Sequence, residues 1–147
     1  MLVPQAHEHI GDKLSKKNID WAWYTGARQA TMDQFKDSGT LSKIPNFQYH
    51  HQPFNYFVQQ GPQNPLERSK RLRDDGLGGE SATNRFVADA EAGKLPAVTF
   101  CKPQGDLNMH TGYADVAAGD RNFDRAIQVL HNSPQSMAEH GGCGHGG

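Results

Sequence analysis

Cysteine is scarce in this sequence, and long hydrophobic runs are missing. Cys101 and Cys143 occur among 147 residues without a CxxC pair, which excludes a disulfide-rich scaffold and a CxxC-type zinc site. Cys101 lies in a short apolar stretch, where we predict a buried side chain. No stretch approaches the roughly 18 apolar residues of a membrane span, so we expect no integral membrane segment. The first residues lack the basic and apolar regions of a signal peptide, and we expect a cytoplasmic location for the chain expressed as it stands.

An excess of positive charge is also missing. The chain has 15 basic and 16 acidic residues and a net charge of -1, so we expect no nucleic-acid partner. One stretch, ERSKRLRDD at residues 67–75, is basic in the middle and closed by acids. We predict a solvated helix face there, with a phosphate-binding patch as the alternative.

Apolar residues are few as well. They make up 35% of the chain, and the 16 glycines contribute no side chain to a core. Globular proteins reach roughly 45–50% apolar residues with glycine included. We therefore predict a thin core, or a piece that other chain completes.

The hydrophobic pattern predicts an α/β fold: a partial layer of a few strands with flanking helices and long loops. In the first strand, Trp21 and Trp23 alternate with Ala22 and Tyr24, which predicts two different faces. The predicted strands are residues 19–26 and 96–103. The predicted helices are residues 10–18, 27–36, 54–61, 65–75, 81–93 with Ser81 as N-cap, and 120–133.

The segment 104–120 follows the second predicted strand and is polar, with several glycines. Loops that leave the carboxyl ends of strands bind ligands in open α/β sheets. We therefore expect ligand-binding residues in this segment. The helix after it begins with Asp120 as its predicted N-cap. Its predicted apolar face consists of Phe123, Ile127 and Leu130.

The histidine pair His50–His51 lies in an aromatic stretch, NFQYHHQPFNYF. One interpretation is structural, with one ring packed among the aromatics and the other in solvent. The other is functional, because an imidazolium donates two hydrogen bonds and an imidazole exchanges one proton. Histidines on a loop beside an α/β sheet could bind phosphate oxygens and protonate a leaving group. His110, in the segment after the second strand, is the third candidate.

Two stretches offer metal ligands. The tail 136–147 contains His140, Cys143 and His145, which suit zinc, copper or nickel, but their spacing matches no structural zinc pattern. We predict a disordered Gly/His-rich tail, with a metal-binding module as the alternative. The adjacent acids Asp74 and Asp75 are a second alternative, although acids in a charged run are usually solvated.

Three stretches together resemble one family of bacterial enzymes. They are IGDKLSKKNIDWAWYTG at 10–26, FQYHHQPFNYF at 47–57 and LPAVTFCKPQGDLNMHTGYADVAAGD at 95–120. With the helix that follows, they resemble the phosphoesterase family of acid phosphatases and phosphatidylcholine-type phospholipases C, which is related in fold to the alkaline phosphatases. The acid phosphatase branch is the nearest, and the likeness covers residues 4–135.

The resemblance implies hydrolysis of a small-molecule phosphate ester or a phospholipid by a metal-assisted hydroxyl nucleophile. It also implies that His50, His51 and His110 line the phosphate site. His51 and His110 are expected to contact the phosphate, and His50 to support them. The sequence departs from the family pattern at Met109, where an acid is often found.

The resemblance further implies that parts of the catalytic site are absent from this chain. The family's nucleophile and the ligands of its divalent metal match nothing in this chain. We therefore expect residues 1–135 to be an internal fragment of the catalytic domain, inactive alone and in need of the remaining enzyme chain. A non-catalytic anion-binding remnant is the alternative. Full-length relatives are expected to be periplasmic or secreted.

Overall fold

The computed structural model describes residues 3–40, 46–74 and 84–135. In these ranges the chain forms five α-helices and a parallel sheet of three strands, which confirms the predicted α/β class. The helices are α1 (Ile10–Lys16), α2 (Arg28–Ser38), α3 (Pro65–Arg71), α4 (Arg85–Glu91) and α5 (Val116–His131), and the strands are β1 (Trp21–Thr25), β2 (Leu72–Asp74) and β3 (Val98–Lys102). Ser81 and the tail 136–147 lie outside the described residues. The predicted N-cap Ser81 is wrong, because α4 begins at Arg85 and its N-cap is Asn84, whose side-chain oxygen accepts the N–H of Val87 at 3.0 Å. Within the described part, no helix combines the length and the apolar character needed to cross a membrane.

The central strand of the sheet is β1, with β2 on one side and β3 on the other. All neighbours run parallel, and Thr25 at the end of β1 is paired with both Asp74 of β2 and Lys102 of β3. The carboxyl ends of the three strands therefore meet at one edge of the sheet, which is where parallel sheets place their ligand sites.

The alternation in β1 divides its side chains between two small cores, as predicted. Ala22 and Tyr24 pack with Phe86 of α4 on one face. Trp21 packs with Phe54 on the other face, with ring centroids 4.9 Å apart. Each fully buried aromatic or aliphatic side chain contributes roughly 1.5–3 kcal/mol through burial. These two clusters hold the sheet in place beneath the loops that follow its strands.

The start of α1 is fixed by a buried histidine. Nδ1 of His9 accepts the N–H of Gly11 at 3.0 Å, while the carboxylate of Asp12 accepts the N–H of His9. Because Nδ1 accepts, the proton of the neutral ring lies on Nε2, which donates to Oε1 of Gln60 at 2.7 Å. His9 therefore caps α1 and also joins it to the chain that follows the histidine pair.

The predicted helix over 65–75 is wrong at its end, because α3 ends at Arg71 and β2 follows. Leu72 is only 4% exposed, since it enters the core as the first residue of β2. Arg71 is also buried, with ion pairs to Asp20 at 2.6 Å and to Glu67 at 2.8 Å. The prediction of a solvated helix face is therefore wrong for this arginine, whose charge the two carboxylates offset.

The predicted helix over 54–61 is also wrong. Two 3₁₀ turns, Pro53–Tyr56 and Val58–Gln60, occupy this segment. Phe57 between them is extended, and its neighbour Val58 donates its N–H to the carbonyl of Gln5 at 3.0 Å. This contact with the N-terminal segment interrupts the helical hydrogen bonds.

The last helix begins earlier than predicted. Its N-cap is Asp115, whose side chain accepts the N–H of Ala117 at 3.1 Å, so the helix starts at Val116 and the predicted cap Asp120 lies inside it. The carboxylate of Asp115 accepts an unpaired N–H group of the first helical turn, which fixes the start of the helix before Asp120 is reached.

The outer side of β3 faces an open groove along α5. Cys101, predicted to be buried, is exposed there, because β3 is the edge strand of the described sheet. The predicted apolar face of α5 lines the same groove, with Phe123 63%, Ile127 49% and Leu130 39% exposed. The face has the predicted composition, but the described residues leave much of it uncovered.

Candidate functional site

The three predicted histidines come together beside the carboxyl end of β3. His50 and His51 lie in a short 3₁₀ helix, Tyr49–His51, and their ring centroids are 4.2 Å apart. His110 comes from the segment that follows β3, and its ring centroid lies 6.1 Å from that of His51. We call these three residues the histidine cluster. The structure therefore joins two motifs that are well separated in the sequence.

One residue, Asn46, connects the two segments of the histidine cluster through its side chain and its backbone. The side-chain oxygen of Asn46 accepts the N–H of Asp106 at 3.1 Å. The backbone carbonyl of Asn46 accepts the N–H of Gly105 at 2.9 Å. Both bonds come from the 3₁₀ turn Gly105–Leu107, which lies just before His110 in the chain. They fix the start of the histidine-pair segment against the segment after β3.

The end of the histidine-pair segment is held by the sheet. Gln52 is only 5% exposed, and its Oε1 accepts the indole N–H of Trp23 at 2.8 Å. Its amide donates back to the carbonyl of Gln48 at 3.3 Å. Phe54, two residues later, is buried in the core beside Trp23. The histidine pair is thus anchored on both sides, although its own rings reach the surface.

His110 is oriented by contacts within its own segment. Its backbone N–H donates to Oδ1 of Asn108 at 2.9 Å, and its ring stacks on Tyr113 with centroids 4.6 Å apart. The ring nitrogen Nδ1 lies 2.7 Å from the carbonyl oxygen of Thr111. Because a carbonyl only accepts, Nδ1 carries a proton and donates. Proton exchange with a ligand is therefore left to Nε2 of His110.

The residue before His110 has a left-handed backbone, since φ of Met109 is 61°. Such a conformation is uncommon for a residue with a side chain and is found often at functional sites. The side chain of Met109 lies on Gly119 of α5, where a Cβ would collide with it. Packing on this glycine therefore holds the strained turn, and Met109 serves as an apolar anchor at the position where an acid was expected.

The histidine cluster is an electropositive site. Burial lowers the pKa of His51, and the positive charges of His50, Lys102 and His110 lower it further. Burial also lowers the pKa of Lys102, the last residue of β3. The charged groups that act on His51 are all cationic, so protonating its ring is costly until an anion enters the cluster.

The described residues do not fit a metal ion. They contain no group of three or more His, Cys, Asp or Glu side chains placed to hold one. The alternative at Asp74 and Asp75 is half outside the described residues, and Asp74 itself accepts the N–H of Gln29 at 2.8 Å. The histidine cluster is better suited to hydrogen bonding with an oxyanion than to metal coordination.

Sequence reasoning predicted the three histidines that the structure brings together, but it missed the residues that lie beside them and hold their segments. Lys102 could have been found, because it ends a predicted strand directly before the ligand-binding segment. Asn46 and Gln52 carry no such signal, since asparagine and glutamine are ordinary loop residues and their partners lie far away in the sequence. Their roles depend on the tertiary contacts that bring Asp106 and Trp23 to them.

Comparison with known protein families assigns the chain to one of them. The model of the phosphoesterase family matches residues 1–140, which is most of the chain. No curated protein matches it. The histidine pair, the segment after β3 and the parallel sheet all fall within the matched region. The chain therefore belongs to the phosphoesterase family.

Proposed function

We propose that the histidine cluster binds the phosphoryl group of a phosphate ester and that the chain contributes to acid-phosphatase-like hydrolysis. Membership of the phosphoesterase family supports a phosphate ester as the substrate. The observation that carries the proposal is the meeting of His51 and His110, with ring centroids 6.1 Å apart, beside the ammonium group of Lys102. Two motifs that are well separated in the sequence supply one anion-binding surface.

Each cationic residue has a distinct role in this proposal. His51 and His110 donate N–H bonds to the phosphoryl oxygens, and Lys102 adds positive charge without a fixed direction. His110 presents Nε2 to the ligand, because its Nδ1 proton is held by the carbonyl of Thr111. This ring is therefore suited to donate a proton to the leaving-group oxygen. His50 supports the ring of His51, which it contacts edge to face.

We assign no nucleophile and no metal to the described residues. The family resemblance implies a divalent metal for the complete enzyme, and the described residues do not fit one. We propose that turnover needs the nucleophile and metal ligands of further enzyme chain, and that residues 1–135 are one part of the catalytic domain. Phosphomonoesters and phospholipids are the proposed substrates, and the periplasm or the cell exterior is the proposed location of the complete enzyme.

Phosphate binding is the direct test. Inorganic phosphate is titrated into the protein at mildly acidic pH, and the imidazole signals are followed by NMR. We expect the signals of His51 and His110 to shift at low millimolar phosphate, and His51→Gln and His110→Gln to weaken binding roughly tenfold each. His131→Gln is the matched control, because His131 is an exposed histidine at the end of α5. Equal binding by all these variants would contradict the proposal.

Hydrolysis is tested separately with p-nitrophenyl phosphate, with and without added divalent metal. Phosphate binding without turnover supports the proposed division of the enzyme, and also fits an anion-binding remnant. Adding the missing part of the catalytic domain distinguishes these two cases. Restored turnover that depends on His51 and His110 supports the enzyme, and no restoration supports the remnant.

A further inference from the structure

A second group of cations lies at the carboxyl end of β2. An open cleft of about 660 Å³ separates α2 from α3 there, and four arginines line it. None of the histidines of the histidine cluster lines this cleft. We call it the arginine cleft, and its four arginines are Arg28, Arg68, Arg73 and Arg85.

Two of the four arginines share one buried carboxylate. Asp89 of α4 lies 2.7 Å from Nη1 of Arg73 and 3.1 Å from Nε of Arg85. It also accepts the hydroxyl of Tyr24 at 2.6 Å. The oxygens of Asp89 are therefore engaged, and this carboxylate does not reach the other two arginines.

Arg28 and Arg68 lack a comparable partner among the described residues. Arg68 donates to the carbonyl of Gln60 at 2.6 Å and to Oδ1 of Asn55 at 2.8 Å, and both acceptors are neutral. The guanidinium of Arg28 makes no hydrogen bond or ion pair with the described residues. Asp74 is the acid of the described lining, and its Oδ1 accepts the N–H of Gln29 at 2.8 Å.

The two unpaired guanidinium groups repel each other in a partly buried place. Burial lowers the pKa of Arg28, and the charge of Arg68 lowers it further, while Asp74 offsets part of this effect. Burial also lowers the pKa of Arg68. Arginine nevertheless stays protonated at neutral pH, so both charges remain. Among the described residues, four guanidinium groups face the two carboxylates of Asp74 and Asp89, which leaves an excess of positive charge in the described part of the cleft.

We propose that Arg28 and Arg68 form a second anion-binding site, specific for a phosphate-class oxyanion and separate from the histidine cluster. Guanidinium groups bind phosphate oxygens through paired N–H donors, and an open cleft of this size admits a phosphate with part of the group it is attached to. The oxyanion is either a free phosphate or a second phosphate on the ester that the histidine cluster binds. The latter rests on the proposed function.

Site-specific variants distinguish the two sites. Inorganic phosphate is titrated into the wild type, Arg28→Gln and the double variant His51→Gln/His110→Gln, with calorimetry giving affinity and stoichiometry. We expect two phosphate sites in the wild type and one in each variant. Arg28 is the position of choice, because its guanidinium holds no described part of the fold in place. Arg125→Gln, which makes the same charge change on the exposed side of α5, is the matched control and should keep both sites.

The results separate failure of this site from failure of the histidine site. If Arg28→Gln binds phosphate with the stoichiometry and affinity of the wild type, the arginine site is overturned, whatever the histidine variants do. If Arg28→Gln loses one phosphate site and the double variant His51→Gln/His110→Gln binds phosphate like the wild type, the arginine site is supported and the histidine site is contradicted. Circular dichroism confirms that each variant folds.

A sugar bisphosphate distinguishes the two sources of the oxyanion. If both phosphates belong to one ligand, the bisphosphate binds at least tenfold more tightly than the matching monophosphate, and both Arg28→Gln and His51→Gln remove this advantage. If the cleft binds free phosphate, the bisphosphate has no advantage and two monophosphates bind independently. In both cases Arg28→Gln must weaken the binding of the ligand. If Arg28→Gln binds the monophosphate and the bisphosphate as tightly as the wild type, the arginine site is overturned.

Discussion

Replacing Asp89 by asparagine tests the buried network that joins β1, β2 and α4. The carboxylate accepts the hydroxyl of Tyr24 at 2.6 Å and Nη1 of Arg73 at 2.7 Å. The side chains of Asp89 and Arg73 are 11% and 12% exposed, whereas that of Arg85, the third partner, is 57% exposed. Asparagine keeps the shape of the side chain and removes its charge, so the substitution leaves the guanidinium of Arg73 buried without a counter-charge.

The size of the expected effect follows from these exposures. Removing one partner of a buried ion pair costs roughly 3–5 kcal/mol, and we expect the lower end because asparagine still accepts one hydrogen bond. The exposed pair with Arg85 contributes less than about 1 kcal/mol, so Arg85→Gln should have a small effect. Replacing Arg73 and Asp89 together by Met and Leu should destabilise less than Asp89→Asn, since no buried charge is left unpaired.

The assay is urea denaturation at pH 7, followed by tryptophan fluorescence, because Trp21 is 1% exposed and reports directly on the core. If Asp89→Asn changes the free energy of unfolding by less than about 1 kcal/mol, the network does not hold the layers together and the reasoning is refuted. Tyr24→Phe gives a second measurement should Asp89→Asn fail to fold. It keeps the charges and removes two hydrogen bonds, the one that the hydroxyl donates to Asp89 and the one that it accepts from Arg73, at an expected cost of about 2 kcal/mol.

The pH dependence of stability has the same origin. Burial acts to raise the pKa of Asp89, but hydrogen bonds from Tyr24, Arg85 and Arg73 outweigh it and hold this pKa below its usual value. A carboxyl group whose folded pKa is depressed stabilises the protein above its unfolded pKa. That stabilisation is lost as the pH falls through the folded pKa, below roughly 4. The wild type should therefore lose stability in this acid range, and Asp89→Asn should lose less.

Three further predictions concern the histidine cluster and its supports. Saturating phosphate should raise the pKa of His51, because an anion stabilises its imidazolium against the neighbouring cations; an unchanged NMR titration of this ring would contradict the site. Gln52→Leu should weaken phosphate binding several-fold, because it removes the acceptor of the Trp23 indole N–H that anchors the histidine pair; equal affinity in calorimetry would show that this anchor is unimportant. His9→Ala should lower the free energy of unfolding by about 1–2 kcal/mol through loss of the α1 cap, without changing the phosphate affinity of the folded protein.

The elements that the sequence predicted well are those with a local pattern. Alternating side chains in β1 identified both the strand and its two faces, and an apolar run between prolines identified β3. The strand β2 was missed for a physical reason. Leu72, Arg73 and Asp74 continue a charged run that favours a helix, and they become a strand only through their pairing with β1. Three residues are too few to show a strand pattern of their own, so β2 can be recognised only from its pairing with β1.

The candidate site shows the same division. Its histidines were predicted from the motifs around His50, His51 and His110, which carry the family resemblance, and the structure brings these three residues together. The ion network at Asp89 was not predicted, since Tyr24, Arg73 and Asp89 come from three separate elements. The alternative of a phosphate-binding patch at 67–75 contained Arg68 and Arg73 of the arginine cleft, whereas Arg28 and Arg85 come from two other helices.

The sequence by itself determined the residue types of the site, the α/β class and the two faces of the central strand, because these depend on local periodicity and on motifs. Only the tertiary structure decided that His110 lies beside His51, that Lys102 adds its charge to them, and that Arg28 and Arg68 line one cleft, where neither forms an ion pair with a described carboxylate. Parallel strands bring their carboxyl ends to one edge, and each contact there joins segments that are far apart in the chain. The spacing of residues within one segment carries no information about such a contact. The fold decides how far apart the two side chains lie and which charges surround them.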